Sequence, residues 1–169
     1  RPSNLRHPDL MRVAIIGAGL AGLVAGRELV HGGADVIVFD KGRSPGGRLA
    51  TRRIGGATLD HGAQFFTVRS PAFAAQVADW EKRGLVHVWN HGFDGGDGHP
   101  RYVATNGMNS LAKDLATDLN VQCSTMAFAL RDEPDVSGIT VVIDDGTAHT
   151  VDAVVVTCPI PQAFALMID

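Results

Sequence analysis

Six residues near the N-terminus, Gly17-Ala18-Gly19-Leu20-Ala21-Gly22, have the types and spacing needed to hold a diphosphate. The apolar run at 13–16 before them reads as a strand buried on both faces. After them, Leu20, Leu23, Val24 and Leu29 take helical spacing. Between strand and helix, Gly17 permits a tight turn, Gly19 lets a pyrophosphate approach the backbone, and Gly22 allows helix and strand to pack closely. The helix N-terminus then aims N–H groups and a partial positive charge at the phosphates. A second apolar run, 36–39, ends at Asp40, where a carboxylate would accept hydrogen bonds from adenosine ribose hydroxyls. The same acid disfavours a 2′-phosphate, which makes NADP the least favoured occupant. The pattern points to an adenine dinucleotide without choosing between FAD and NAD. A glycine-rich turn that binds nothing is the plain alternative.

Other residues invite chemistry more weakly. The segment from Lys41 to Arg53 places Gly46-Gly47 before Arg48, a second close backbone approach beside a guanidinium that would meet a phosphate. A solvated basic loop explains the same residues. Asp60 and His61 pair a carboxylate with an imidazole, but neighbours on a strand point to opposite faces. His87, His91 and His99, with Asp94 and Asp97, lack the spacing of a metal centre, and no metal is expected. Cys123 and Cys158 form no CxxC and read as half-buried thiols of a reducing compartment. No nucleophile–base constellation supports hydrolysis, so the catalytic residues stay unknown.

The combination of residues 17–22, Asp40, Gly46-Gly47-Arg48 and Asp60-His61-Gly62-Ala63-Gln64-Phe65-Phe66 resembles the amine-oxidase-type FAD proteins, and among them the renalase-like group. The resemblance runs over residues 11–168, and its last two segments are far more specific than GxGxxG. It implies FAD as cofactor, with Gly17, Ala18, Gly19, Ala21 and Gly22 around the pyrophosphate. It places Asp40 and Lys41 at the ribose and Gly47 and Arg48 at the phosphate–ribityl side. Gly62, Ala63 and Gln64 would approach the isoalloxazine, and Met126 would make a backbone contact to adenine, although valine is commoner there. Thr157-Cys158-Pro159 resembles the strand end that returns the chain to the flavin domain. The implied activity is oxidation of a small reduced donor, a dihydronicotinamide isomer or an amine, with O2 as acceptor. Family members are longer, so the C-terminal half of the fold is expected to lie outside this chain. A truncated nucleotide-binding module without turnover, or an NAD-dependent dehydrogenase domain, are the alternatives.

The elements that must position these residues follow from the rest of the pattern. A chain of 169 residues, 45% hydrophobic and 20% charged, is an ordinary globular sequence. Its net charge of −3 offers no field for nucleic acid or an acidic membrane, and no apolar run reaches the length of a span. With no signal-peptide core, the cytoplasm is the expected location. The expected fold is α/β, a Rossmann-like FAD/NAD(P)-binding domain with a partial antiparallel-sheet substrate domain. Its flavin-binding Rossmann-like layer would draw on residues 11–60, roughly 121–130, and 152–158. Residues 1–10, ahead of Met11, read as a disordered extension. Residues 11–64 read as the FAD-binding βαβ unit and its loop, 65–118 as the partial substrate region, and 119–169 as the return to the FAD-binding domain. Within this plan, 42–63 reads as a long loop with short extended pieces, Ser70-Pro71 as a helix start, and 85–89 as a strand. A helix is expected from Met108, capped by Asn109 or Ser110, then a strand over 121–130. A hairpin over 139–156 turns at Asp144-Asp145-Gly146-Thr147.

Overall fold

A computed structural model describes residues 10–92 and 98–168. The expected N-terminal extension therefore lies outside the described residues except for Leu10, as do Asp94 and Asp97. The chain forms two compact units, one of residues 1–45 with 115–169 and one of residues 46–114.

The first unit is built on β1 (Arg12–Ile16), α1 (Leu20–His31) and β2 (Asp35–Asp40). Its four parallel strands run in the order β11-β1-β2-β7, where β7 is Asn120–Cys123 and β11 is Ala153–Val156. The apolar runs place β1 at the centre, with Val13, Ala14 and Ile15 almost fully buried. Alternation along the strand divides the two faces. Ile15 faces α1, where a β-carbon on Gly26 would meet both Ile15 and Leu119, so Gly26 is a packing residue. Ala14 and Ile16 face a core shared with Phe39, Ala127, Val141, Ile143, Val151 and Leu166. That core belongs to a three-stranded antiparallel sheet, β10-β9-β8, of Ala148–Val151, Ile139–Ile143 and Ala127–Arg131. The expected hairpin is its β9–β10 arm. A short helix α4 (Ile160–Leu166), absent from the sequence reading, follows β11 and inserts Leu166.

The second unit holds a hairpin of β3 (Thr51–Ile54) and β4 (Ala57–Asp60), helix α2 (Pro71–Lys82), and a hairpin of β5 (Val86–Asn90) and β6 (Arg101–Ala104). Helix α3 (Asn109–Leu115) closes it. Ser70 accepts the Phe73 N–H as N-cap of α2 and Pro71 takes the first turn, as read from sequence. Val77, Trp80, Val86, Met108 and Leu111 form the interior, and Phe66 stacks with Tyr102 beside Phe73 and Trp80.

Three expectations change. Residues 51–60 form the β3–β4 hairpin around Gly55-Gly56, and so do not belong to the parallel layer. The single strand over 121–130 is two, because Ser124 takes a positive φ of 55° and breaks the run between β7 and β8. Finally, α3 begins at Asn109, and neither Asn109 nor Ser110 caps it. Instead Asp60 accepts the Met108 N–H at 2.8 Å, and Thr51 accepts the Asn109 N–H at 3.0 Å. A carboxylate at that helix end also suits the positive pole of the helix dipole.

Candidate functional site

In the first unit the glycine turn lies between the end of β1 and the start of α1. Gly17 has φ +111°, a conformation that a side chain would strain, and its N–H donates to the Phe39 carbonyl at 2.8 Å. A β-carbon on Gly22 would sit 1.9 Å from the Gly17 carbonyl oxygen, so helix and turn touch backbone to backbone there. Gly19 is the contrast. A β-carbon on it meets nothing within 4 Å, and the space in front of the helix start is open. Gly19 is also the N-cap and supplies no side-chain cap, the first turn has no acid, and among the described residues no side-chain hydrogen bond reaches the first N–H groups of α1. This is what an incoming diphosphate requires: open space at Gly19, a helix start without a side-chain cap, and no acid in its first turn.

Asp40 ends the neighbouring strand. One carboxylate oxygen accepts the Ala18 N–H and the other the Gly42 N–H, both at 2.6 Å. Each oxygen keeps a further acceptor position. The Ala18 N–H is thereby directed at Asp40, and Ala18 itself is fully buried. Lys41 is exposed beside them. The break after β7 brings 124–126 alongside, since Ser124 N–H donates to the Gly42 carbonyl and Thr125 N–H to that of Asp40. Met126 follows, partly exposed, but its N–H and carbonyl both bond Asp144. Cys123 pairs in register with Asp40; burial raises its thiol pKa and the nearby carboxylate adds to the effect, which holds the sulfur protonated. Cys123 and Cys158 are both free and half-buried.

In the second unit, Gly46 and Gly47 have φ values of +142° and +52° and turn the chain into a 3-10 turn over Gly47–Leu49. Leu49 is buried while Arg48 is exposed. The Arg48 carbonyl accepts the Ala63 N–H at 2.8 Å, and a β-carbon on Gly62 would lie 2.1 Å from that oxygen. The glycine and the Ala63 amide of the segment 60–66 thus exist to pack against the Arg48 turn, and Gln64 follows exposed. Asp60 and His61 are not joined. Asp60 bonds the Thr51 hydroxyl and the α3 start, whereas His61 is exposed and its N–H donates to Ala50. No group of three or more His, Cys, Asp or Glu among the described residues is arranged to hold a metal ion. No described helix is long and apolar enough to cross a membrane.

One residue that supports the turn was read from sequence only as part of the strand end returning to the flavin domain. Thr157, just past β11, places its hydroxyl 3.0 Å from the carbonyl oxygens of Ile16 and Gly17. The signal available was its position at the end of the apolar run 153–156, but nothing in the sequence says that this strand lies beside β1.

Comparison with known proteins fits this geometry. A family model for flavin-containing amine oxidoreductases matches residues 69–167, and one for an NAD(P)-binding Rossmann-like domain matches residues 15–80. The chain belongs to the flavin-containing amine oxidoreductases, whose cofactor is FAD. Renalase of Mus musculus is 27% identical over 95% of this chain and 50% of its own length. A hydroxyneurosporene desaturase of Rubrivivax gelatinosus is 41% identical over 42% of this chain and 14% of its own. Putrescine oxidase bound to putrescine superposes with a TM-score of 0.67 at 15% identity, over 89% of this chain and 58% of that one, a likeness of fold. The chain thus spans half the length of renalase and a smaller share of the desaturase. The open face at Gly19, the uncapped α1 and the remaining acceptors of Asp40 fit the ADP part of FAD.

Proposed function

We propose that this chain is the FAD-holding part of an oxidoreductase that oxidises a small reduced donor with O2 as acceptor. In the first unit, Gly17, Gly19, Ala21 and Gly22 would wrap the pyrophosphate, with Ala18 tying the turn to Asp40. Asp40 and Lys41 would hold the adenosine ribose. Met126 would meet adenine through its side chain, because its backbone groups already bond Asp144. In the second unit, Gly47 and Arg48 would meet the phosphate–ribityl side, and Gly62, Ala63 and Gln64 the flavin ring. When bound, FAD supplies the redox chemistry, a two-electron oxidation of the donor coupled to reduction of O2 to hydrogen peroxide. The protein's own residues bind, orient and limit access.

The observation that carries this reading is the turn itself: open space at Gly19 before an uncapped helix, next to an acid with acceptor positions left. The resemblance to renalase over most of the chain supports a dihydronicotinamide isomer as donor, and family membership supports an amine. The test has two stages. FAD, ADP, NAD and NADP are titrated into the 169-residue chain, and the purified protein's visible spectrum is recorded. The reading expects flavin absorbance, tight ADP and FAD binding, and weak NADP binding. A colourless chain that retains NAD instead would overturn the FAD assignment in favour of a dehydrogenase domain. Dihydronicotinamide isomers and amines are then compared by O2 uptake and peroxide release on a protein that includes the rest of the family fold. Peroxide from neither donor class would overturn the proposed activity.

A further inference from the structure

The Gly17–Ala18 peptide is held from both ends. Its N–H, on Ala18, donates to Asp40 at 2.6 Å. Its carbonyl, on Gly17, lies 3.0 Å from the Thr157 hydroxyl, 140 residues away in sequence. The Ile16 carbonyl, also 3.0 Å from that hydroxyl, already receives the Thr157 backbone N–H at 2.9 Å. A hydroxyl has one proton to give, and the Gly17 carbonyl is where it is not redundant. Rotation of this peptide plane turns about the Gly17 ψ and the Ala18 φ, and Gly17, with a φ of +111°, has no β-carbon to restrict it. Rotation would take the Ala18 N–H away from Asp40 and swing a carbonyl oxygen out of the crowded angle between Gly22 and Thr157. A carbonyl turned outward beside the helix N-terminus would repel a phosphate. The Thr157 oxygen fills that angle: it would lie 2.9 Å from a β-carbon on Gly17 and 2.8 Å from one on Gly22.

We infer that Thr157 is a positioning residue for dinucleotide binding, acting with Asp40 to fix the Gly17–Ala18 peptide in its anion-accepting orientation. The inference rests on the proposed nucleotide role of this turn and adds a residue to it from the far end of the chain. It makes Thr157 and Asp40 two handles on one peptide, so their effects should not add.

Thr157→Val removes the hydroxyl and keeps the branched shape, while Thr157→Ser keeps the hydroxyl and drops the methyl group. ADP and FAD dissociation constants are measured for both, for Asp40→Asn, and for the Thr157→Val/Asp40→Asn double variant. Amide exchange at Ala18 is followed in the ligand-free chain. Thr157→Val should weaken ADP and FAD about tenfold and speed Ala18 exchange, and Thr157→Ser should stay within about twofold of the parent. The double variant should lose clearly less than the product of the two single losses. Unchanged affinity in Thr157→Val, equal losses in Val and Ser, or fully multiplicative losses would overturn the inference. If the parent binds neither ADP nor FAD, the proposed function falls. The binding role of Thr157 falls with it, and Ala18 exchange then decides only whether the hydroxyl fixes the Gly17–Ala18 peptide: faster in Thr157→Val than in Thr157→Ser supports that hold, and equal rates overturn it. Should Thr157→Val not fold, Thr157→Ala takes its place in every comparison with Thr157→Ser.

Discussion

Gly22 and Gly62 stand in the same steric position in different units. A β-carbon on Gly22 would lie 1.9 Å from the Gly17 carbonyl oxygen, and one on Gly62 would lie 2.1 Å from that of Arg48. Both glycines let one backbone segment rest on another, and both follow a turn whose own glycine has positive φ. The difference is in what holds each turn. In the first unit the turn is fixed by residues distant in sequence, through β2 at Asp40 and through Thr157 beyond β11. In the second it is fixed locally, by Ala63 bonding Arg48 and His61 bonding Ala50 across a short hairpin. The first turn thus depends on a completed parallel sheet, whereas the second needs only its neighbours.

Gly22→Ala should give the largest effect. The added methyl group must displace backbone, because the nearest atom is a carbonyl oxygen and the next is the Thr157 hydroxyl at 2.8 Å. We expect a stability loss of about 1–3 kcal/mol by chemical denaturation, as for overpacked sites. ADP and FAD affinity should both fall by at least about a hundredfold in titration, since the N–H groups that face the phosphates move with the turn. Gly62→Ala sharpens the comparison. It should cost similar stability, but ADP affinity should stay within about twofold of the parent while FAD affinity drops about tenfold. Equal losses of ADP and FAD affinity in Gly62→Ala would mean that the Arg48 turn serves no flavin-specific purpose.

These two turns were unequally legible. Residues 13–40 could be read directly, because a buried parallel strand is an unbroken apolar run and its helix has its own period. Even there the exposure of Leu20 and Val24 was not visible: spacing names a helical face without saying what covers it. Gly46, Gly47 and Gly62 were recognisable only as part of a motif. Gly46 and Gly47 are there for positive φ and Gly62 for its contact with the Arg48 carbonyl, and no periodicity reports either. The β3–β4 hairpin was legible only as short extended pieces in a long loop: its strands are exposed on most positions, so they lack the alternation that marks a half-buried strand. Asp60 suggested acid–base chemistry next to His61, yet its partners are Thr51 and the start of α3, 48 residues on. Thr157 was read only as part of the strand end returning to the flavin domain, and its contact with the glycine turn was not legible, because only the strand order places β11 against β1.

A smaller effect separates the stability of the second unit from nucleotide binding. Asp114 accepts the indole N–H of Trp80 at 2.8 Å and both terminal nitrogens of Arg83, at 2.6 and 2.9 Å. Its hydrogen bond to Arg83, helped by Asp79, holds that guanidinium firmly charged. Trp80 is 2% exposed, so Asp114→Ala leaves a buried donor without this partner. The expected cost is about 1–3 kcal/mol in denaturant unfolding, dominated by the indole, because the solvent-exposed Arg83 guanidinium contributes little. ADP affinity should not change. A parallel loss of ADP binding would show that the two units do not respond independently.

The smallest effect tests the other end of the contact between β1 and β11. Asp152 accepts both the backbone N–H of Arg12, at 2.7 Å, and its guanidinium, at 2.9 Å. The hydrogen bonds from Arg12 hold the Asp152 carboxyl below its usual range, and those from Asp152 raise the Arg12 pKa. A carboxylate lowered in the folded state adds stability that is fully present above its unfolded pKa, near 3.9. That stability is lost as pH falls through the folded value. The guanidinium, raised in the fold, stays charged throughout this window. Both side chains are well exposed, at 44% and 40%, so the effect is small and screened by salt. Asp152→Asn, which keeps an acceptor for the backbone N–H, should lower Tm at pH 7 by roughly a degree. The difference should diminish as pH falls below about 3.9 and shrink in about 1 M salt. Because Thr157 bonds the opposite end of the same strand pair, ADP affinity provides the contrast. It should be unchanged in Asp152→Asn, since the turn is held at the Thr157 end and not by the pairing as a whole. A loss of ADP binding in that variant, matched to its loss of stability, would mean that any loosening of β11 disturbs the turn. The Thr157 hydroxyl would then have no special part in it.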